Sequence, residues 1–213
     1  MFVITADQID SRNDIDRAGS LQAQLNERYR NALALLFDQT SGDELQAATD
    51  SPAVALDVVL ELTRTGHWSV GLGVGAVRTP LPDAARKATG PAFVAARNAV
   101  EVAKRADARF ALHGQEASPD ADDQPIRVSD VEPLVTMLLL LRARRTGQGW
   151  EAVDLLTAGH NQQSAAALIG ISPAAVSQRL KVAMWSVEED ARPALIRLLE
   201  ELDRSGAGME HVA

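Results

Sequence analysis

Apolar positions in the first half of the chain alternate between two spacings, while the second half keeps only one of them. "FVITA" at the start is a short unbroken apolar run, which predicts a strand buried on both faces. Leu21, Leu25, Tyr29, Ala32 and Leu33 then recur at helical spacing. "LLFDQT" and "LQAAT" flank the turn-forming "SGDE" and predict a hairpin. Ser51-Pro52 offers an N-cap followed by proline at the first helical position, and opens a helix through "AVALDVVLEL". "WSVGLGVGAV" alternates Val and Leu with Gly, so this strand has one bulky face and one bare face. Gly90-Pro91 begins another helix with Phe93, Ala96, Val100 and Ala103 on one side, and "RFALHG" can close the sheet. The order β-α-β-β-α-β, with a further helix and strand, predicts a ferredoxin-like sheet that carries its helices on one face.

The pattern breaks at "GQEASPDADDQP" (Gly114 to Pro125), a stretch of Pro, Asp and small residues without apolar periodicity. It reads as a solvated linker. The chain then divides into an α+β domain over 1–113, a linker over 114–127 and an all-α domain over 128–213. The last of these shows four or five helices and no strand. One runs near Val131 to Arg145, one around Trp150 to Thr157, a short pair from Gln162 to about Ala183, and a charged one through "ARPALIRLLEELD". The tail "RSGAGMEHVA" is expected to fray.

Composition narrows the class. With 213 residues and 46% hydrophobic content the chain can bury a real core. It has no cysteine, which excludes disulfides and thiolate metal sites and fits a cytoplasmic protein. "MFVITADQID" lacks a basic leader region, and "PLVTMLLLL" is too short to span a bilayer, so no membrane association is expected. The formal charge of −8 argues against a broad basic surface, though not against a local basic patch.

Carboxylates supply the first candidate chemistry. Asp7 ends the first strand and Asp43 sits in the hairpin, two elements that a β-α-β-β sheet places side by side. Together they suit a hard cation such as magnesium, which takes one or two carboxylates plus phosphate oxygens. The bare strand face at Gly71, Gly73 and Gly75 would let a nucleotide approach the backbone. The competing reading is ordinary hairpin solvation. Glu44 is expected to point to the other face of the hairpin. The glycines can equally serve close helix packing, Arg97 can contact phosphate or pair with a carboxylate, and Ser11-Arg12 can simply cap the first helix.

The order of these blocks carries a resemblance. "SGDEL" resembles the hairpin of diguanylate cyclases, and "VITADQIDSR" resembles the acidic first strand of that domain and of class III nucleotidyl cyclases. The chain is more closely similar to the SatD family. The matching blocks are Asp7 with Ser11 and Arg12; Gly42, Asp43, Glu44 and Gln46; "GLGVGAV"; and Gly90 to Ala99 with Lys104 downstream. The resemblance implies a palm-like, nucleotide-cyclase-like domain of bacterial origin. It also implies a site in which Asp7 and Asp43 hold Mg2+ and Ser11, Arg12, Gly42, Gly71 and Arg97 contact a nucleotide. The chain departs from the cyclases in three places. Phe93 stands where they carry an Asn before the helix arginine, Ser41 replaces the first glycine of the hairpin, and Asp7 and Asp10 are spaced three apart instead of two. A missing transition-state donor argues against cyclisation.

"QQSAAALIGISPAAVSQRLKVAM" is the strongest motif, with the pattern of a helix-turn-helix. Ala166 allows close crossing, Gly170 makes the turn, and Val176, Leu180 and Ala183 bury one face of the second helix. Ser172 caps that helix and Pro173 follows at its first position. Its outward face offers Ala174, Ser177, Gln178 and Lys181, with Arg179 beside them, residue types that read base edges and phosphates. Gln162 starts the preceding helix, where free N–H groups favour a phosphate. No acidic residue occurs from Leu155 to Val187. The module resembles the winged or sigma-region-like helix-turn-helix of bacterial regulators. The run Arg142, Arg144 and Arg145 is the other basic cluster that could meet DNA.

These readings converge on a DNA-binding transcriptional regulator. Its palm-like domain dimerises or senses a nucleotide, and its second domain binds double-stranded DNA. A homodimer is expected because one recognition helix covers only a half-site. The rival is a metal-dependent nucleotidyl cyclase or related phosphoryl-transfer enzyme with an appended helix-turn-helix.

Overall fold

Phe2, Val3, Ile4 and Ala6 are fully buried because their strand takes the centre of a sheet covered on both faces. The computed structural model describes residues 1–114 and 126–207; the core of the expected linker, 115–125, and residues 208–213 lie outside them. Strands β1 (Phe2–Gln8), β2 (Leu35–Ser41), β3 (Glu44–Thr49), β4 (Trp68–Val74) and β5 (Phe110–Gly114) form one mixed sheet in the order β2-β3-β1-β4-β5. Every pairing is antiparallel except β4 with β5.

Eight α-helices complete the mixed α+β fold among the described residues. They are α1 (Ala18–Tyr29), α2 (Pro52–Arg64), α3 (Pro91–Ala103), α4 (Val128–Ala143), α5 (Gly147–Thr157), α6 (Gln162–Ile169), α7 (Pro173–Val182) and α8 (Trp185–Ala207). The chain forms two compact units, Met1–Thr136 with the chain from Leu195, and Met137–Ala194. The border therefore falls inside α4 and inside α8.

In the first unit the helices cover both faces of the sheet, not one as the sequence pattern suggested. The reason lies in β4. Gly71 and Gly73 pair with Thr5 and Val3 of β1, and α3 presses its backbone onto this row. A Cβ on Gly71 would lie 2.3 Å from the Val100 nitrogen, and one on Gly73 would lie 2.2 Å from the Ala92 oxygen. Ala92, Phe93 and Ala96 of α3 then pack with Val3, Leu35, Ala48 and Ala85. Ile4, Ala6, Val70 and Leu72, which alternate with that row and point to the opposite face, are buried as well, and α2 packs on the same strands, β1 and β4. The Tyr29 hydroxyl donates to Glu61 at 2.8 Å and ties α1 to α2.

Side chains finish both edges of the sheet. On β2, Asn26 accepts from the Phe37 N–H at 2.7 Å and donates to the Phe37 carbonyl at 2.8 Å, as a neighbouring strand would. On β5, the Leu112 N–H donates to Glu132 at 3.2 Å. Capped in this way, the edge strands offer less template for pairing with another chain.

In the second unit, α5, α6 and α7 enclose a small core of Ala152, Val153, Ala165, Ala166, Val176 and Leu180. Helix α1 ends at Tyr29, leaving Ala32 and Leu33 in the turn that follows. Helix α8 continues through the first residues of the tail expected to fray, as far as Ala207. No helix of the described residues is long and apolar enough to cross a membrane.

Candidate functional site

Local chemistry sets the α6–α7 geometry. The Asn161 side chain accepts from the Ser164 N–H at 2.8 Å and caps α6. Gly170 ends that helix in the left-handed region, φ 70°, where a side chain would be strained. The Ser172 hydroxyl accepts from the Ala175 N–H at 3.2 Å and caps α7, with Pro173 next in line. Val176, Leu180 and Ala183 are buried, so the opposite side of α7 faces solvent.

Along that side the structure lines up Ala174, Ser177, Gln178 and Lys181, all exposed. Gln162 is exposed at the start of α6. Ser172 is exposed too, but its hydroxyl is committed to the cap. Arg179 departs from the expected group, because its guanidinium turns back to α5 and meets Glu151 at 2.7 Å. Sequence reasoning missed Val182, which is 65% exposed at the end of the same stripe. Its spacing of four from Gln178 was the available signal.

A buried ionic cluster stands behind this module. Arg145 and Glu188 have side-chain exposures of 1% and 2% and form an ion pair at 2.5 Å, and Arg142 also pairs with Glu188. Both guanidiniums lie over Trp150, each 4.8 Å from the ring centroid. The Arg145 Nε donates to the Ala183 carbonyl at 2.7 Å, at the C-terminal end of α7. Two members of the basic run suspected of meeting DNA are therefore internal supports. Arg144 alone of the three is exposed.

The acidic rim of the sheet is arranged differently from the expectation. Asp7 pairs across β1 and β3 with Glu44, which places Glu44 on the same face as Asp7 instead of the other face of the hairpin. Asp43 occupies the turn, its carbonyl accepting from the Gln8 N–H at 3.2 Å. Lys104 lies 3.1 Å from Asp7 and 2.8 Å from Glu101. Burial pushes the Asp7 carboxyl above its ordinary range, and Asp43 and Glu44 add to the rise against the opposing pull of Lys104. Burial pulls Lys104 down, yet Glu101 and Asp7 together raise it. The asymmetry is physical, since Lys104 serves two carboxylates while Asp7 shares one ammonium with two acidic neighbours.

The other expected nucleotide contacts do not gather there. Gly71 is buried beneath α3, so helix backbone occupies the bare face that a nucleotide would need. Arg97 is exposed on α3, and Phe93 is a core residue at 3% exposure. Gly42 is exposed at the hairpin tip with φ 50°. Ser11 and Arg12 lie in the turn after β1 and do not cap α1, whose N-cap position is Arg17. That loop is fixed by Asp14, held down to about 2 by the Arg17 guanidinium. Among the described residues no group of three or more His, Asp or Glu side chains is placed to hold a metal ion. An ammonium, and not a vacant carboxylate pair, faces Asp7.

No protein-family model, curated protein or solved structure matches the chain.

Proposed function

We propose that the chain is a DNA-binding regulator in which α6 and α7 act as a helix-turn-helix and α7 enters the major groove of double-stranded DNA. One observation carries the reading. An exposed polar stripe of Ser177, Gln178 and Lys181 lies on a doubly capped helix pair, in a stretch free of acidic residues within an acidic protein. The first unit would serve dimerisation, giving two recognition helices for two half-sites. Its strand order β2-β3-β1-β4, antiparallel throughout, supports the ferredoxin-like, palm-type reading and the likeness to the SatD family. The test is fluorescence anisotropy on DNA fragments selected from a genomic library. Gln178→Ala with Lys181→Ala should abolish specific binding, the lost Gln178 base contact costing about 1–3 kcal/mol and the lost Lys181 phosphate contact weakening the rest. Unchanged affinity in a double variant of normal helicity would refute the assignment.

A second reading is favoured by the closeness of Asp43 and Glu44 to Asp7, near enough to disturb its ionisation. In that reading the rim takes Mg2+ and the phosphates of a nucleotide, and the cation displaces Lys104 from Asp7. Magnesium with a nucleotide should then raise the melting temperature, as any ligand preferring the native state does, and Asp43→Ala should remove the gain. A shift of equal size in both proteins would eliminate this reading.

A further inference from the structure

We infer that Glu151 determines what α7 reads: by holding Arg179 it leaves the recognition face without a guanidinium and fits it to an A·T-rich half-site. The inference rests on the helix-turn-helix reading above. Arginine is the side chain that most often specifies guanine, through paired hydrogen bonds to O6 and N7. Arg179 is the sole arginine of α7, and its Nη1 lies 2.7 Å from the Glu151 carboxylate on α5. Only 21% of its side chain is exposed, whereas Ser177, Gln178 and Lys181 stand in solvent around it. The reason is its position on the helix. Arg179 flanks the buried Val176, Leu180 and Ala183, so its stem starts along α5 and its charged end finds Glu151 before it can turn outward.

The outward groups that remain have a consistent preference. Helix-turn-helix proteins bring the N-terminal part of the second helix to the base edges. Here that part presents Ala174, Ser177 and Gln178. Glutamine pairs with adenine N6 and N7, an alanine methyl packs on the thymine methyl, and serine accepts either base type. Lys181 and Val182 come in the last turn, where the ammonium meets phosphate, a contact that positions the helix without reading sequence. With the Lys181 ammonium on phosphate and Arg179 on Glu151, guanine has no dedicated donor, while adenine and thymine each have one fitting partner.

The experiment is selection from a random double-stranded library with three full-length proteins: wild type, Glu151→Gln and Arg179→Ala. Wild type and Arg179→Ala should retain the same A·T-rich half-site. Glu151→Gln, which frees the guanidinium, should enrich guanine at one half-site position about tenfold. A wild-type half-site containing a guanine that Arg179→Ala loses would mean that Arg179 reads DNA, and the inference fails while the helix-turn-helix stands. A Glu151→Gln protein with the wild-type preference would overturn it as well. If wild type enriches no sequence over the starting library, the DNA-binding reading fails, and the inference falls with it.

Discussion

Buried polarity is handled in opposite ways by the two units. Beneath its helices the sheet unit buries Thr5, Gln8, Gln46, Thr49 and Ser69, all neutral and able to share hydrogen bonds, as Gln46 does with Thr5 at 2.9 Å. The helical unit buries Arg145 and Glu188, a full charge of each sign. Size accounts for the difference. Five strands and the helices on both faces close the first core by shape, down to backbone contact at Gly71 and Gly73. The second unit has a core built largely of alanine and valine, too small to fix the end of α7 by packing alone. A charged cluster does it instead. Such a cluster adds little net stability over an apolar one, but it is severe on any change that leaves one charge without its partner.

The largest effect should come from testing the shape-closed side. Gly73→Ala would place a methyl 2.2 Å from the Ala92 oxygen and 2.4 Å from the Ala96 nitrogen, both backbone atoms that cannot swing aside. Overpacking of this kind exceeds the usual ~1–3 kcal/mol, and we expect the first unit to lose cooperative folding altogether. A Gly73→Ala protein with a wild-type urea midpoint would mean that α3 is not seated as described. Next comes the charge-closed side. Glu188→Ala removes the carboxylate shared by two guanidiniums whose side chains are 1% and 11% exposed, and should cost about 3–5 kcal/mol in urea denaturation. Replacing Arg145 and Glu188 together by methionine should recover the share of that loss that comes from Arg145, since Arg142 still loses this carboxylate. If the double variant is no better than Glu188→Ala, charge pairing is not what holds α7.

The contrast also explains what could be read from the chain in advance. Periodicity located the strands and helices of the first unit in their correct order, because the apolar run Phe2–Ala6 and the Gly-alternating β4 both have the spacing of a strand. The α6–α7 turn was equally legible, since Asn161, Gly170, Ser172 and Pro173 act locally on their own backbones. Long-range facts were hidden. The bare face of β4 announced a close approach without saying whether a helix or a ligand makes it. The side that Glu44 faces depended on the β1–β3 register, which the hairpin sequence alone does not fix. Arg145 and Glu188 lie far apart in sequence and look like solvated charges until the fold joins them.

The smallest effect tests whether the rim belongs to the solvent or to the core. Asp7 carries a carboxyl whose pKa in the fold is raised above 3.8, first by burial and then by Asp43 and Glu44. A raised carboxyl favours the native state in its protonated form. Its contribution is therefore fully present below the unfolded value and is lost as pH rises through the folded one. Asp7→Asn keeps the shape, removes the titration and leaves Lys104 paired with Glu101. At pH 7 the variant should be only slightly more stable than wild type, because this rim is partly solvated. Well below pH 3.8, where the wild-type carboxyl is protonated in both states, the difference should vanish. Thermal melts at several pH values measure it. If Asp7→Asn is instead less stable at neutral pH, the Lys104 ion pair outweighs burial, and the rim is held by charge just as the helical unit is.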